Sequence, residues 1–222
     1  TPPARCADDA MLVFDGSGSM ASMGYNGLNR PRIFDAQQAV RHALPFVTPF
    51  RKLGLIVYGP GPEDVCSNVE LRLKPTANAA ARILSELEGL QPAGNTPLTR
   101  AVEDAAEALN YREKSGTVVL ITDGKENCGG ATCGIAAKLA AAGSNLTIHV
   151  IGFRVRGKHF NWQGEDTAGF ENGRTIARCL ADITGGIYVS AESTDELISA
   201  LRQTLACPMV GRFEPANHKI KS

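Results

Sequence analysis

"MLVFDGSGSM", residues 11–20, is the stretch whose reading decides the fold. An apolar run stops abruptly at Asp15, and Gly16, Ser17, Gly18 and Ser19 follow. A strand apolar at every position suits a parallel sheet covered on both faces, because a half-exposed strand would alternate. Beyond the strand end, alternate residues point the same way, so Asp15, Ser17 and Ser19 converge on one point. The intervening glycines permit the sharp bend such a loop needs.

Working outward, "AMLVF" (10–14) is matched by "LGLIVY" (53–58), "TVVLIT" (117–122), "LTIHVIGF" (146–153) and "GIYVS" (186–190). "NVELRL" (68–73) alternates instead and follows the turn-rich "GPGPED", which predicts an antiparallel edge strand. Helical periodicity covers 33–47, interrupted by Pro45, then 77–87, 98–109 and 131–142, the last closing at Gly143. Two more helices are predicted over 175–183 and 194–205, with Ser193 and Glu196 forming a capping box on the latter. The order βαββααβαβαβα predicts an α/β fold: a doubly wound, mostly parallel six-stranded sheet with one antiparallel edge strand and helices on both faces. Residues 8–207 read as one domain and 208–222 as a loosely ordered tail.

The composition places limits on function. The 222 residues carry 23 basic and 23 acidic side chains, a balance that argues against nucleic acid or a polybasic membrane surface. No apolar run has the length of a membrane span. "TPPARCADDA" (1–10) shows no apolar leader, and a start at Thr1 reads as a processed chain. Six cysteines, an even number, fit three disulfides in an exported protein, whether periplasmic, cell-surface or secreted.

Two further segments meet the Asp15 loop in chemistry. "VVLITDGKEN" puts Asp123 at a strand tip, and "GNTPLTRA" puts Thr96 just before Pro97, which suits the first turn of a helix. Carboxylates and hydroxyls without His or Cys suit a hard cation, with Mg²⁺ first and Mn²⁺ or Ca²⁺ as substitutes. Taken singly, each segment has a plainer reading as a Gly/Ser loop, a helix cap or a turn. Their joint placement at strand ends of one sheet favours the metal site. Such a site has few charged ligands, and an external carboxylate would complete it.

"DGSGSM", "GNTPLTRA" and "ITDGKENC" resemble the metal-ion-dependent adhesion site of the von Willebrand factor type A domain, and "DITGGIYVSAESTDELISAL" is similar to that family's last strand and helix. The resemblance implies direct metal contact by Ser17 and Ser19, contact by Thr96 in a ligand-bound form, and direct or water-mediated contact by Asp15 and Asp123. It implies a non-enzymatic adhesion module, monomeric, that takes the Asp or Glu carboxylate of a protein partner as the remaining ligand. The alternative is a Mg²⁺-dependent hydrolase or phosphoryl-transfer enzyme using Asp15. Met20, Tyr25, Arg156 and Trp162 are candidate partner contacts, while Arg154 and Glu126 read as solvated side chains. Similarity to bacterial exported members with "CGGxxC" implies a local Cys128–Cys133 bridge. Cys6 and Cys207 both belong at the bottom of the sheet and are paired, which leaves Cys66 with Cys179.

Overall fold

The computed structural model describes residues 6, 8–23, 30–62, 65–124, 126–143, 145–154 and 177–207. Six strands form one sheet: β1 (Asp9–Asp15), β2 (Leu53–Tyr58), β3 (Val69–Thr76), β4 (Gly116–Thr122), β5 (Leu146–Phe153) and β6 (Tyr188–Ala191). The helices are α1 (Arg32–Ala43), α2 (Ala80–Leu87), α3 (Leu98–Ala108), α4 (Thr132–Ala142), α5 (Arg178–Thr184) and α6 (Thr194–Leu205). Strand order is β3-β2-β1-β4-β5-β6, and only β3 runs antiparallel.

The apolar runs follow from two cores, one on each face. Leu12 and Phe14 of β1, with Val119 and Ile121 of β4, join α1, α2 and α6. Met11 and Val13, with Val118 and Leu120, join α3, α4 and α5. Each fully buried side chain of this size contributes about 1.5–3 kcal/mol, so neither face tolerates a polar residue in β1 or β4. The edge strand β3 is only partly buried and carries Pro75, which a central strand would exclude.

Boundaries shift where local chemistry intervenes. Pro45 ends α1, and the chain continues as a 3-10 turn over Leu44–Phe46. The second helix starts at Ala80 rather than 77, because β3 runs on to Thr76 and Asn78 takes a left-handed turn at φ 52°. The start of the fifth helix at 175 and the tail 208–222 lie outside the described residues.

Three disulfides brace this frame. Cys6–Cys207 joins the segment before β1 to the end of α6, as expected. The other two correct the sequence reading: Cys66 bonds Cys128 and Cys133 bonds Cys179. Between Cys128 and Cys133 the chain turns at Gly129 (φ 77°) and enters α4. Cys133, in the first turn of α4, faces Cys179 of the neighbouring α5, while Cys128 stays on the loop beside the β2–β3 connection.

Candidate metal centre

Chain order reverses between β1 and β4, so their carboxyl ends open a crevice where ligands bind in sheets of this kind. Asp15 ends β1 and Asp123 directly follows β4; both are buried. The Ser17 hydroxyl donates to Asp15 Oδ1 at 2.6 Å, and the Ser17 N–H donates to the same oxygen at 2.9 Å. The Ser19 hydroxyl donates to Asp123 Oδ1 at 2.6 Å. The two serine oxygens lie 3.1 Å apart. Asp15, Ser17, Ser19 and Asp123 thus form one continuous chain of oxygens. Thr122 closes it from below by donating its hydroxyl to Asp15 Oδ2 at 2.9 Å.

Thr96 stands in the adjoining loop. That loop is docked on the first by Ala93 N–H to Gly16 O and Gly18 N–H to Gly94 O, both at 3.0 Å. The approach requires glycine at Gly94: its φ is +73°, and a Cβ there would sit 2.3 Å from Gly59 O. Among the described residues, the Thr96 hydroxyl makes no hydrogen bond to the other four, so the structure brings four of the five candidates into direct contact and sets the fifth alongside.

Electrostatics mark the cluster. Burial, and then the charge of Asp123, push the Asp15 carboxyl up from 3.8 to about 6, with the Ser17 bonds opposing. Burial and the Asp15 charge also push the Tyr58 phenol well above its usual value, so it stays neutral. The residues fit a hard divalent cation. The serine protons point at the carboxylates, which leaves hydroxyl lone pairs free for a cation, and two buried carboxylates close together call for positive charge. Among the described residues, no group of three or more His, Cys, Asp and Glu side chains gathers as a metal site, here or elsewhere; this cluster has two carboxylates, and hydroxyls supply its other donors.

Several side chains depart from the sequence reading. Met20 is fully buried, because the 3-10 turn Gly18–Ala21 folds it into the core beside α1, so it is no partner contact. Met23, nearby, is exposed instead. Arg154 is not on a solvated face: its Nη2 pairs with buried Asp35 Oδ2 at 2.6 Å. Glu126 is not solvent-facing either. Its carboxylate accepts from Thr99 N–H in the first turn of α3 and from Cys128 N–H, each at 2.7 Å. Asn127 Oδ1 accepts from Thr96 N–H at 2.6 Å. Glu126 and Asn127 therefore tie the Thr96 loop to the Asp123 loop. Tyr25, Arg156 and Trp162 lie outside the described residues.

Arg32 is a site residue that the sequence reading misses: its Nη1 donates to Asp123 Oδ2 at 2.7 Å. The available signal was an anomaly, a cation in the first turn of a helix, where the dipole disfavours it.

A family model described as the von Willebrand factor type A domain matches residues 10–126. The Bacillus subtilis (strain 168) protein YwmD is 29% identical over 198 residues, covering 85% of this chain and 81% of YwmD. Among solved structures, the aerotolerance-related membrane protein from Bacteroides fragilis NCTC 9343 aligns with a TM-score of 0.64 at 20% identity, over 90% of this chain and 98% of that one. The pilus adhesin SpaC from Lactobacillus rhamnosus GG aligns with a TM-score of 0.63 at 17% identity, over 92% of this chain and 30% of that one.

Proposed function

This chain belongs to the von Willebrand factor type A family, and from that premise we propose that it is a non-enzymatic adhesion module that grips an acidic group of a partner protein through a divalent cation. The observation that carries the reading is the Asp15–Ser17–Ser19–Asp123 chain at the crevice between β1 and β4, buried except at half-buried Ser19. Asp15, Ser17, Ser19 and Asp123, with Thr96 from the adjoining loop, would hold the cation, Mg²⁺ in the first instance. When bound, the cation supplies an electrophilic anchor for an Asp or Glu carboxylate.

The protein's own residues do the rest. Thr122 and the Ser17 amide fix the Asp15 carboxylate. Glu126 and Asn127 hold the Thr96 loop in place. Met23 adds exposed apolar surface near the crevice, of the kind a protein partner covers. A hydrolytic role for Asp15 fits less well. Its carboxylate is fully buried and engaged on both oxygens by Ser17 and Thr122, a poor arrangement for a nucleophile.

Three disulfides support an oxidising, exported location, in keeping with the pilus adhesin among the structural neighbours. Among the described residues, no helix is long and apolar enough to cross a membrane. The test is calorimetric titration of chelator-stripped protein with Mg²⁺, Mn²⁺ and Ca²⁺. One-site binding that disappears in Ser17→Ala and in Asp123→Ala is the expected result. Failure of all three ions to bind would remove the basis of the adhesion reading.

A further inference from the structure

Arg32 opens α1 at the same edge of the sheet as the candidate metal centre. Its ion pair with Asp123 is closed to solvent: the two side chains are 9% and 0% exposed. The guanidinium engages Asp123 Oδ2, while Oδ1 faces Ser19. Among the described residues its Nε has no acceptor, so Asp123 is its one charged partner. Arg32 is also held from behind, since its backbone N–H donates to Ser22 O at 3.0 Å. The position is therefore built into the fold, where a mobile surface cation would not be.

Two carboxylates and one guanidinium leave the cluster with a single net negative charge. A divalent cation would bring that to a net positive charge, and an external carboxylate would cancel it. Without Arg32 the cation alone would already neutralise the site.

We propose that Arg32 is a specificity-determining residue of this centre: by neutralising Asp123 it weakens the hold on the cation alone and favours cation and external carboxylate together. This rests on the adhesion-site reading above. Removing a unit charge a few ångströms from a divalent cation changes its affinity by at least about tenfold, the figure that bulk-water screening alone would give.

The experiment is calorimetric titration of the chelator-stripped full chain with Mn²⁺ for wild type, Arg32→Gln and Arg32→Lys. Each is run in sodium chloride and in sodium acetate at matched ionic strength. Arg32→Gln is expected to bind Mn²⁺ at least about tenfold tighter than wild type in chloride. Arg32→Lys is expected to follow wild type, and acetate to raise the affinity of wild type more than that of Arg32→Gln. Binding by Arg32→Gln that is equal to or weaker than wild type, with an unchanged near-ultraviolet circular dichroism spectrum, would overturn the proposal and leave the metal site standing. Should Arg32→Gln fail to fold, the acetate dependence of wild type decides, and its absence overturns the proposal. Absence of Mn²⁺ binding in both wild type and Arg32→Gln overturns the adhesion-site reading as well.

Discussion

Replacing Asp15 with Asn should make the metal-free protein more stable at neutral pH while removing its response to metal. The magnitude follows from the site. Asp15 titrates near 3.8 in the unfolded chain and is pushed up to about 6 in the fold, by burial first and by Asp123 second. That gap is worth about 3 kcal/mol. Below pH ~4 the carboxyl is protonated in both states and carries no penalty. Between pH ~4 and ~6 the fold binds more protons than the unfolded chain, so this group makes stability fall as pH rises. Above pH ~6 the full penalty stands. Urea unfolding of wild type and Asp15→Asn from pH 4 to 8 in chelator measures it, because the difference between the two proteins cancels the other carboxylates. Stability of wild type relative to Asp15→Asn should drop by about 3 kcal/mol between pH 4 and 7.5. Saturating Mg²⁺ at pH 7.5 should restore wild type and leave the variant unchanged. A difference that stays flat with pH would refute the claim that the Asp15 charge is stranded in the metal-free fold.

Glu126→Ala frees the amides of Thr99 and Cys128 and should cost about 1–3 kcal/mol in urea unfolding, with weaker Mg²⁺ binding because the Thr96 loop loosens. Gly94→Ala forces a Cβ into Gly59 O at a left-handed backbone position. It should cost at least about 1–3 kcal/mol and be unmatched by alanine substitution at a position of negative φ. Cys6→Ser with Cys207→Ser opens a closure spanning 201 residues. On a chain-entropy account this should lower stability by about 5 kcal/mol, more than losing Cys133–Cys179, read from calorimetric melting. Non-reducing peptide mapping should recover Cys66 linked to Cys128 and no Cys128–Cys133 fragment.

The alternation of elements and the near-continuous apolar strands are local properties, because a strand covered on both faces has nowhere to put a polar residue. They fixed the fold class, the edge position of β3 and the strand tips that carry Asp15 and Asp123. The spacing of Asp15, Ser17 and Ser19 was legible for the same reason, since consecutive loop residues must share one environment. What depended on distant segments was not legible. Arg32 meets Asp123 across 91 residues, and nothing local to either names the other. Met20 follows the serine motif directly, yet a short 3-10 turn sends it into the core, where Met23 stays outside. Arg154 follows β5 like any loop cation until α1 brings Asp35 to it. The cysteine pairs followed the same division. Cys6 and Cys207 flank the outermost elements and could be matched by chain position. Cys133 and Cys179 were matched by the packing of α4 on α5, and Cys66 and Cys128 by the meeting of two loops, neither of which sequence separation encodes. Sequence by itself determined which chemistry stands at the sheet edge. The tertiary structure decided how that chemistry is charged, because a buried ion pair is chosen by the segments that meet there.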